Sequence, residues 1–150
     1  MPAPYRVTVG PDLVDYNQHL NEGAYGVIFS DATDHVLGEL GLGSEYRRLQ
    51  GGAFYTVETH TRFLREVAEA TTVEVTTQIL GVDDKRLHLW HVMCPLHGGG
   101  EAATQESLLV HVDTASRSVR PIGEALSPAA ALVISDYPEG AGRAIRPLVR

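Results

Sequence analysis

The run Val14-Asp15-Tyr16-Asn17-Gln18-His19-Leu20-Asn21, read straight into the helix-like stretch Glu22–Leu40, decides how the rest of the chain is organised. It gathers a carboxylate, carboxamides and an imidazole just ahead of a helix whose first amides have no backbone partner. Such an end attracts negative charge and hydrogen-bond acceptors. A carboxylate held beside it suggests a site that polarises a carbonyl and either attacks it or delivers water to it.

Outward from this run the hydrophobic period defines the elements. Tyr25, Val27, Ile28, Phe29, Ala32, Val36, Leu37 and Leu40 recur at helical spacing and cover more than half the circumference, so this helix is wrapped by other structure. Asp31, Thr33, Asp34 and Glu39 mark its wetter side, Gly41 and Gly43 stop it, and 44–52 reads as a polar connector. From Ala53 the period becomes two. Ala53, Tyr55, Val57, Thr59, Thr61 and Phe63 share one face, and Phe54, Thr56, Glu58, His60, Arg62 and Leu64 the other. Alternation over 72–80, hairpin punctuation at Asp83-Asp84 and Gly98–Gly100, and runs near 85–94 and 102–112 give further strands. Tyr5–Val9 is a short opening strand, closed by Gly10-Pro11. An early helix followed by antiparallel strands is an α+β order. Residues 1–121 form this domain. Residues 122–150 form a C-terminal extension with a short helix within Ile122–Ser135 and a tail pinned on the domain or on a neighbouring subunit.

With 43% hydrophobic and 21% charged residues in a chain of 150, the composition is that of one globular domain. A net charge of -7 argues against nucleic acid as a partner. The single cysteine, Cys94, excludes an internal disulfide and reads as buried packing in a reducing compartment. No apolar run approaches the ~20 residues of a membrane span, and the N-terminus lacks a signal peptide's charged start, so the expected location is the cytoplasm.

Asp15-x-Asn17-x-His19-Leu20-Asn21 resembles the D-x-N-G-H-M/V-N signature of the hotdog-fold thioesterases related to 4-hydroxybenzoyl-CoA thioesterase, with Gln18 where glycine is usual. Tyr55–His60, Leu64–Val67 and Leu80–Leu89 resemble the betainyl-CoA thioesterase branch found with enzymes of carnitine metabolism. The resemblance implies a hotdog fold: a curved antiparallel sheet of about five strands around one central helix. It also implies hydrolysis of an acyl-CoA thioester, betainyl-CoA for that branch, with CoA as part of the substrate and no cofactor or metal. A thioesterase for aromatic or short aliphatic acyl groups and a non-catalytic acyl-CoA-binding subunit are the alternatives. The open sheet edge further suggests a homodimer or a dimer-based tetramer. Because CoA is polyanionic, the Lys85-Arg86 and Arg47-Arg48 clusters read either as phosphate contacts or as solvated turns.

Asp15 is the expected base or nucleophile; its structural reading is an N-cap or Asx-turn residue. Asn17 and His19 either orient Asp15 and water or support the loop, and Asn21 reads as the helix cap. Amides near Glu22 and Gly23 are the expected oxyanion donors. Tyr25, Phe54, Glu58 and His60 complete the expected substrate contacts, Glu58 and His60 sharing a strand face with Phe54. A quaternary ammonium wants aromatic faces and a carboxylate, for which Tyr16, Tyr25, Phe29, Phe54, Tyr55 and Trp90 are candidates with Glu58 as counter-charge. His88 and His91, three apart on a strand, point to opposite faces and suit no shared metal. His97-Gly-Gly-Gly100 lacks the G-x-S-x-G elbow of lipases and reads as a hairpin turn.

Overall fold

The computed structural model describes residues 1–148. Its centre is α1 (Glu22–Glu39), capped by Asn21, whose side-chain Oδ1 accepts the Gly23 N–H at 2.9 Å. Leu37, Leu42 and the reversal through Gly41 (φ 71°) close the helix. The 44–52 stretch is not a plain connector: Ser44–Gln50 forms a short helix, α2, ended by Gly51 in the left-handed conformation. Seven residues are too few to display a period, but Glu45 and Arg48 pair one turn apart at 3.0 Å and support the helix locally.

Six antiparallel strands curl around α1: β1 (Tyr5–Thr8), β2 (Gly52–Phe63), β3 (Thr72–Val82), β4 (Arg86–Pro95), β5 (Ala103–Asp113) and the two-residue β6 (Ser118–Val119). The spatial order is β1-β3-β4-β5-β2, with β6 against β5. The helix fills the concave side. Tyr25, Ile28 and Phe29 meet Val73, Val75 and Met93 at one end; Leu37 and Leu42 meet Ile79, Leu87, Leu89 and Leu109 at the other.

Between these two apolar blocks the helix is tied to the sheet by polar atoms. Thr33, expected on the wetter side, is buried, and its hydroxyl donates to the Phe29 carbonyl at 2.9 Å. The hydroxyl can then only accept from His91 Nε2 at 3.1 Å, which leaves Nδ1 to accept from Thr77 Oγ1 at 2.9 Å. His91 is thus a neutral, fully satisfied imidazole, and burial holds its pKa down to about 3. In the unfolded chain the same ring titrates near the ordinary value of 6.5. The unfolded state therefore binds the extra proton first as pH falls, and stability declines below that value. We expect His91 to contribute a slope of about 1.4 kcal/mol per pH unit between pH 6 and 4, measured by urea unfolding and flattened in His91→Asn.

The chain after β6 behaves as a strap that runs from the concave core to the outer face. Leu126 and Ala129 plug the concave core at its open end, and Ile134 N–H donates to the Ile79 carbonyl at 3.0 Å on the rim of β3. The chain then crosses to the outer face. There Gly142 N–H donates to both oxygens of Glu106 at 3.0 and 3.1 Å, and Tyr137 sets its ring edge-on to His88. His88 Nε2 donates to Glu106 at 2.7 Å, with both side chains wholly buried. Burial pushes the His88 pKa down despite the pull of Glu106 and Glu58, so this ring is a neutral donor to a buried carboxylate. Farther along, Leu148 lies against Gly81 of β3; positions 149 and 150 lie outside the described residues.

One local irregularity changes the reading of β2. The strand steps from Thr56↔Leu109 to Glu58↔Leu108, so Val57 is an extra, bulged residue. Directly opposed residues share a face, and Leu109 belongs to the core. Phe54 and Thr56 therefore face the helix side, whereas Glu58 and His60, opposite Leu108 and Glu106, face outward. The expected grouping of Phe54 with Glu58 and His60 does not hold, because the bulge reverses the alternation between them.

Candidate active site

The motif run forms a tight loop stitched to its surroundings by backbone bonds. Asp15 N–H donates to the His19 carbonyl at 3.0 Å and Gln18 N–H to the Asp15 carbonyl at 2.9 Å. Leu20 N–H donates to Val67 at 2.7 Å and Asn21 N–H to Leu13 at 2.9 Å, which fixes the entry of α1. The turn requires a left-handed residue at position 18. Gln18 adopts it at φ 62°, the conformation a glycine would take without side-chain crowding.

Asp15 is half-buried. Its Oδ1 accepts the Asn17 N–H at 2.8 Å, the bond of an Asx turn, while Oδ2 accepts nothing among the described residues. One oxygen therefore anchors the group and the other is available. Asn17 contributes its backbone to this turn and exposes its side chain. His19 is half-buried and aims Nδ1 at Glu66 Oε2, 3.5 Å away.

At the helix start the supply of free amides is smaller than the sequence suggests. The Gly23 N–H is occupied by the Asn21 cap at 2.9 Å, and Ala24 N–H bonds the Asn21 carbonyl at 2.9 Å. This corrects the expectation for Gly23: a capped amide is no longer an oxyanion donor. Glu22 N–H makes no bond among the described residues and keeps its donor.

Beside this end lies a cleft of about 510 Å³ walled by Leu20, Glu22, Tyr25, Phe63, Leu64 and Arg65. Tyr25 is buried, donates its hydroxyl to the Arg65 carbonyl at 3.2 Å, and packs edge-on against Phe63 at 5.1 Å. Burial, then the nearby Glu66, raises its pKa, so the phenol stays protonated. Asp15 does not wall this cleft within one chain.

The remaining expected contacts separate. Phe54 lies at the far end of α1, its ring 5.4 Å from His111. Glu58 lies outside, in a cleft with Arg86 and Ile145, and His60 sits outside opposite Glu106. Glu58 therefore cannot act as counter-charge to a cation held by Phe54. Phe29 and Trp90 are buried in packing, and Tyr16 is 94% exposed. A site the sequence does not single out is a cavity of about 490 Å³ between α1, α2 and β2, walled by Asp34, Leu37, Leu42, Arg47, Phe54 and Tyr55. Arg47, Phe54 and Tyr55 in its wall are among the candidate contacts the sequence offers, whereas Asp34 reads only as part of the helix's wetter side. His88 and His91 point to opposite faces, and no cluster of potential metal ligands occurs among the described residues. Cys94 is half-buried, and burial together with Glu101 and Glu74 pushes its thiol pKa up, away from a nucleophile.

A curled antiparallel sheet around one central helix is a hotdog fold. The family described as the thioesterase-like superfamily matches residues 9–130, and the chain belongs to it. It is 42% identical over 147 residues to a betainyl-CoA thioesterase of Pseudomonas aeruginosa, covering 94% of this chain and 92% of that one. It is 48% identical over 108 residues to an L-carnitine dehydrogenase/betainyl-CoA thioesterase of Agrobacterium fabrum, covering 71% of this chain but 22% of that longer protein. Among solved structures, a Staphylococcus aureus protein in complex with CoA superposes with a TM-score of 0.84 at 27% identity, over 95% of this chain and 92% of that one.

Proposed function

We propose that the chain hydrolyses betainyl-CoA to betaine and CoA, with Asp15 as the group that acts on the thioester carbonyl. The observation that carries this reading is the 42% identity along nearly the whole length of the Pseudomonas aeruginosa betainyl-CoA thioesterase. The geometry supports it: Asp15 is held by one oxygen and offers the other, and Glu22 N–H at the head of α1 is an unspent donor for the developing oxyanion. In one route Asp15 takes a proton from water as the water oxygen bonds the carbonyl carbon; in the other its carboxylate makes that bond itself. In both, the C–S bond breaks and CoA leaves as the thiol. In the first route it takes up the proton that Asp15 removed from water. In the second the thiolate is protonated by water, and a further water hydrolyses the Asp15–acyl anhydride, releasing betaine and restoring the carboxylate. His19, backed by Glu66, and Asn17 position the loop and the water. The site works within a homodimer. The outer edge of β2 is unpaired in the sheet and carries Tyr55 and Val57, 49% and 58% exposed, and a second copy of that edge satisfies both its amides and its apolar surface. The single half-buried cysteine suits a reducing cytoplasm.

Two measurements test this. Thiol release is followed for betainyl-, benzoyl- and butyryl-CoA; betainyl-CoA is expected to give the highest kcat/KM. Preference for benzoyl-CoA would replace the betaine reading, and silence with all three would leave only a binding subunit. Analytical ultracentrifugation is expected to show a dimer or larger at micromolar concentration, and a monomer would remove the paired-edge arrangement.

A further inference from the structure

We propose that the cleft beside the start of α1 takes the quaternary ammonium of the acyl group, with Tyr25 and Phe63 facing its methyl groups and Glu66 facing its charge. The proposal rests on the betainyl-CoA reading and names the residues that would select that acyl group from uncharged ones.

In a betainyl thioester the ammonium nitrogen lies two bonds from the carbonyl carbon. A selector for it must therefore adjoin the donor that meets the oxyanion. Glu22, whose N–H is that donor, stands in the wall of the cleft, and Tyr25 follows one turn later on the same side of α1. The cleft, about 510 Å³, is where two aromatic planes meet. The rings of Tyr25 and Phe63 lie 5.1 Å apart at 72°, so they form a corner and not a stack. Tyr25 is fixed by its hydroxyl bond to the Arg65 carbonyl at 3.2 Å, whereas Phe63, at the end of β2, is 51% exposed and keeps ring surface for a ligand. A trimethylammonium group suits such a corner, because its charge is spread over methyl surfaces that cannot donate ordinary hydrogen bonds.

Rings alone do not decide the charge. The start of α1 is the positive end of a helix and disfavours a cation. An ammonium held there needs carboxylates, and an uncharged acyl group does not. Two stand in the wall: Glu22 in the first turn of α1 and Glu66 on the segment that follows β2. Glu66 is the better placed to face a ligand. Its contact to His19 Nδ1, 3.5 Å, is long for a hydrogen bond, and no arginine or lysine pairs with it among the described residues. It also lies near enough to Tyr25 to add to the rise in that phenol's pKa, which puts its charge beside the aromatic corner. Arg65 shares the wall and argues the other way, for an anion. Its guanidinium, however, donates to the Gly99 carbonyl and lies against Gly100, so it is directed at the loop between β4 and β5.

The experiment compares wild type, Glu66→Gln, Phe63→Leu and Arg65→Gln. The readout is kcat/KM for betainyl-CoA against 3,3-dimethylbutyryl-CoA, which replaces the ammonium nitrogen by carbon at equal shape. Glu66→Gln is expected to lower the charged/uncharged ratio by about 5- to 30-fold and Phe63→Leu by about 3- to 10-fold. Arg65→Gln is expected to leave the ratio at or above that of wild type. An unchanged ratio in Glu66→Gln would overturn the proposal, and an equal fall for both esters would then assign Glu66 to holding His19. A loss in Arg65→Gln that exceeds the Glu66→Gln loss would overturn it too. If wild type cleaves neither ester, the hydrolytic reading falls, and an NMR titration with tetramethylammonium decides the cation site by itself. Ring-proton shifts at Tyr25 and Phe63 that Glu66→Gln weakens would support it, and their absence in wild type would remove it.

Discussion

Glu106→Ala is expected to destabilise the protein by roughly 3–5 kcal/mol and to release the C-terminal strap. Glu106 is wholly buried and accepts from His88 Nε2 and from Gly142 N–H through both oxygens. Alanine leaves both donors without acceptors in a space water does not reach, and each buried unmet donor is costly. His88 suffers twice, since its Nδ1 already has no partner among the described residues. For a chain of 150 residues the loss corresponds to a fall in Tm of about 10 °C or more. The release is local as well as global. Ile145 and Tyr137 depend on the strap remaining on the outer face, so limited proteolysis should cut near 137–146 first. Glu106→Gln keeps the volume and one acceptor, and its cost is expected to be about half as large. A Tm within a degree or two of wild type for Glu106→Ala would show that the strap is held by its apolar contacts alone.

Asp15→Asn is expected to lower kcat by about 10³-fold or more while leaving Tm nearly unchanged. The amide oxygen of asparagine can still accept the Asn17 N–H, so the Asx turn and the left-handed Gln18 that follows it persist. What disappears is the negative charge. A neutral amide neither takes a proton from water nor bonds the thioester carbon, and general-base or nucleophilic assistance of this kind is worth at least 10²–10⁴-fold. KM should change little, because the cleft walls Leu20, Tyr25, Phe63 and Leu64 are untouched. A parallel fall in Tm and activity would instead assign Asp15 to the loop's architecture alone.

The sequence made the fold legible where a period persists over many residues. The α1 stripe from Tyr25 to Leu37 and the alternation of Val73, Val75 and Ile79 in β3 are long enough to define a face, and both are buried as expected except for Val27, which is 52% exposed and lies off the helix's buried stripe. It failed where one residue alters the phase. Thr56, Val57 and Glu58 are all acceptable strand residues, so nothing marks the bulge, yet it moves Glu58 and His60 to the face opposite Phe54. Seven-residue α2 escaped for want of length, and the route of the extension, expected only to be pinned on the domain or a neighbour, was not legible because two of its ties are made by backbone donors: Ile134 N–H on Ile79 and Gly142 N–H on Glu106. At the motif, Asp15–Asn21 was legible as a loop ahead of a helix, because Asp, Asn and His favour such turns for local hydrogen-bonding reasons. The allocation of the amides was not. That Asn21 consumes the Gly23 N–H and leaves Glu22 with a donor depends on a cap geometry that only coordinates reveal.

The most direct test is the rate of thiol release from betainyl-CoA by the purified protein, with Asp15→Asn measured beside it under the same conditions. The expected result is steady turnover by the wild type and a rate at least a thousandfold lower for the variant. Equal rates for the two proteins, or no release by the wild type from this ester, would contradict a carboxylate-driven betainyl-CoA thioesterase.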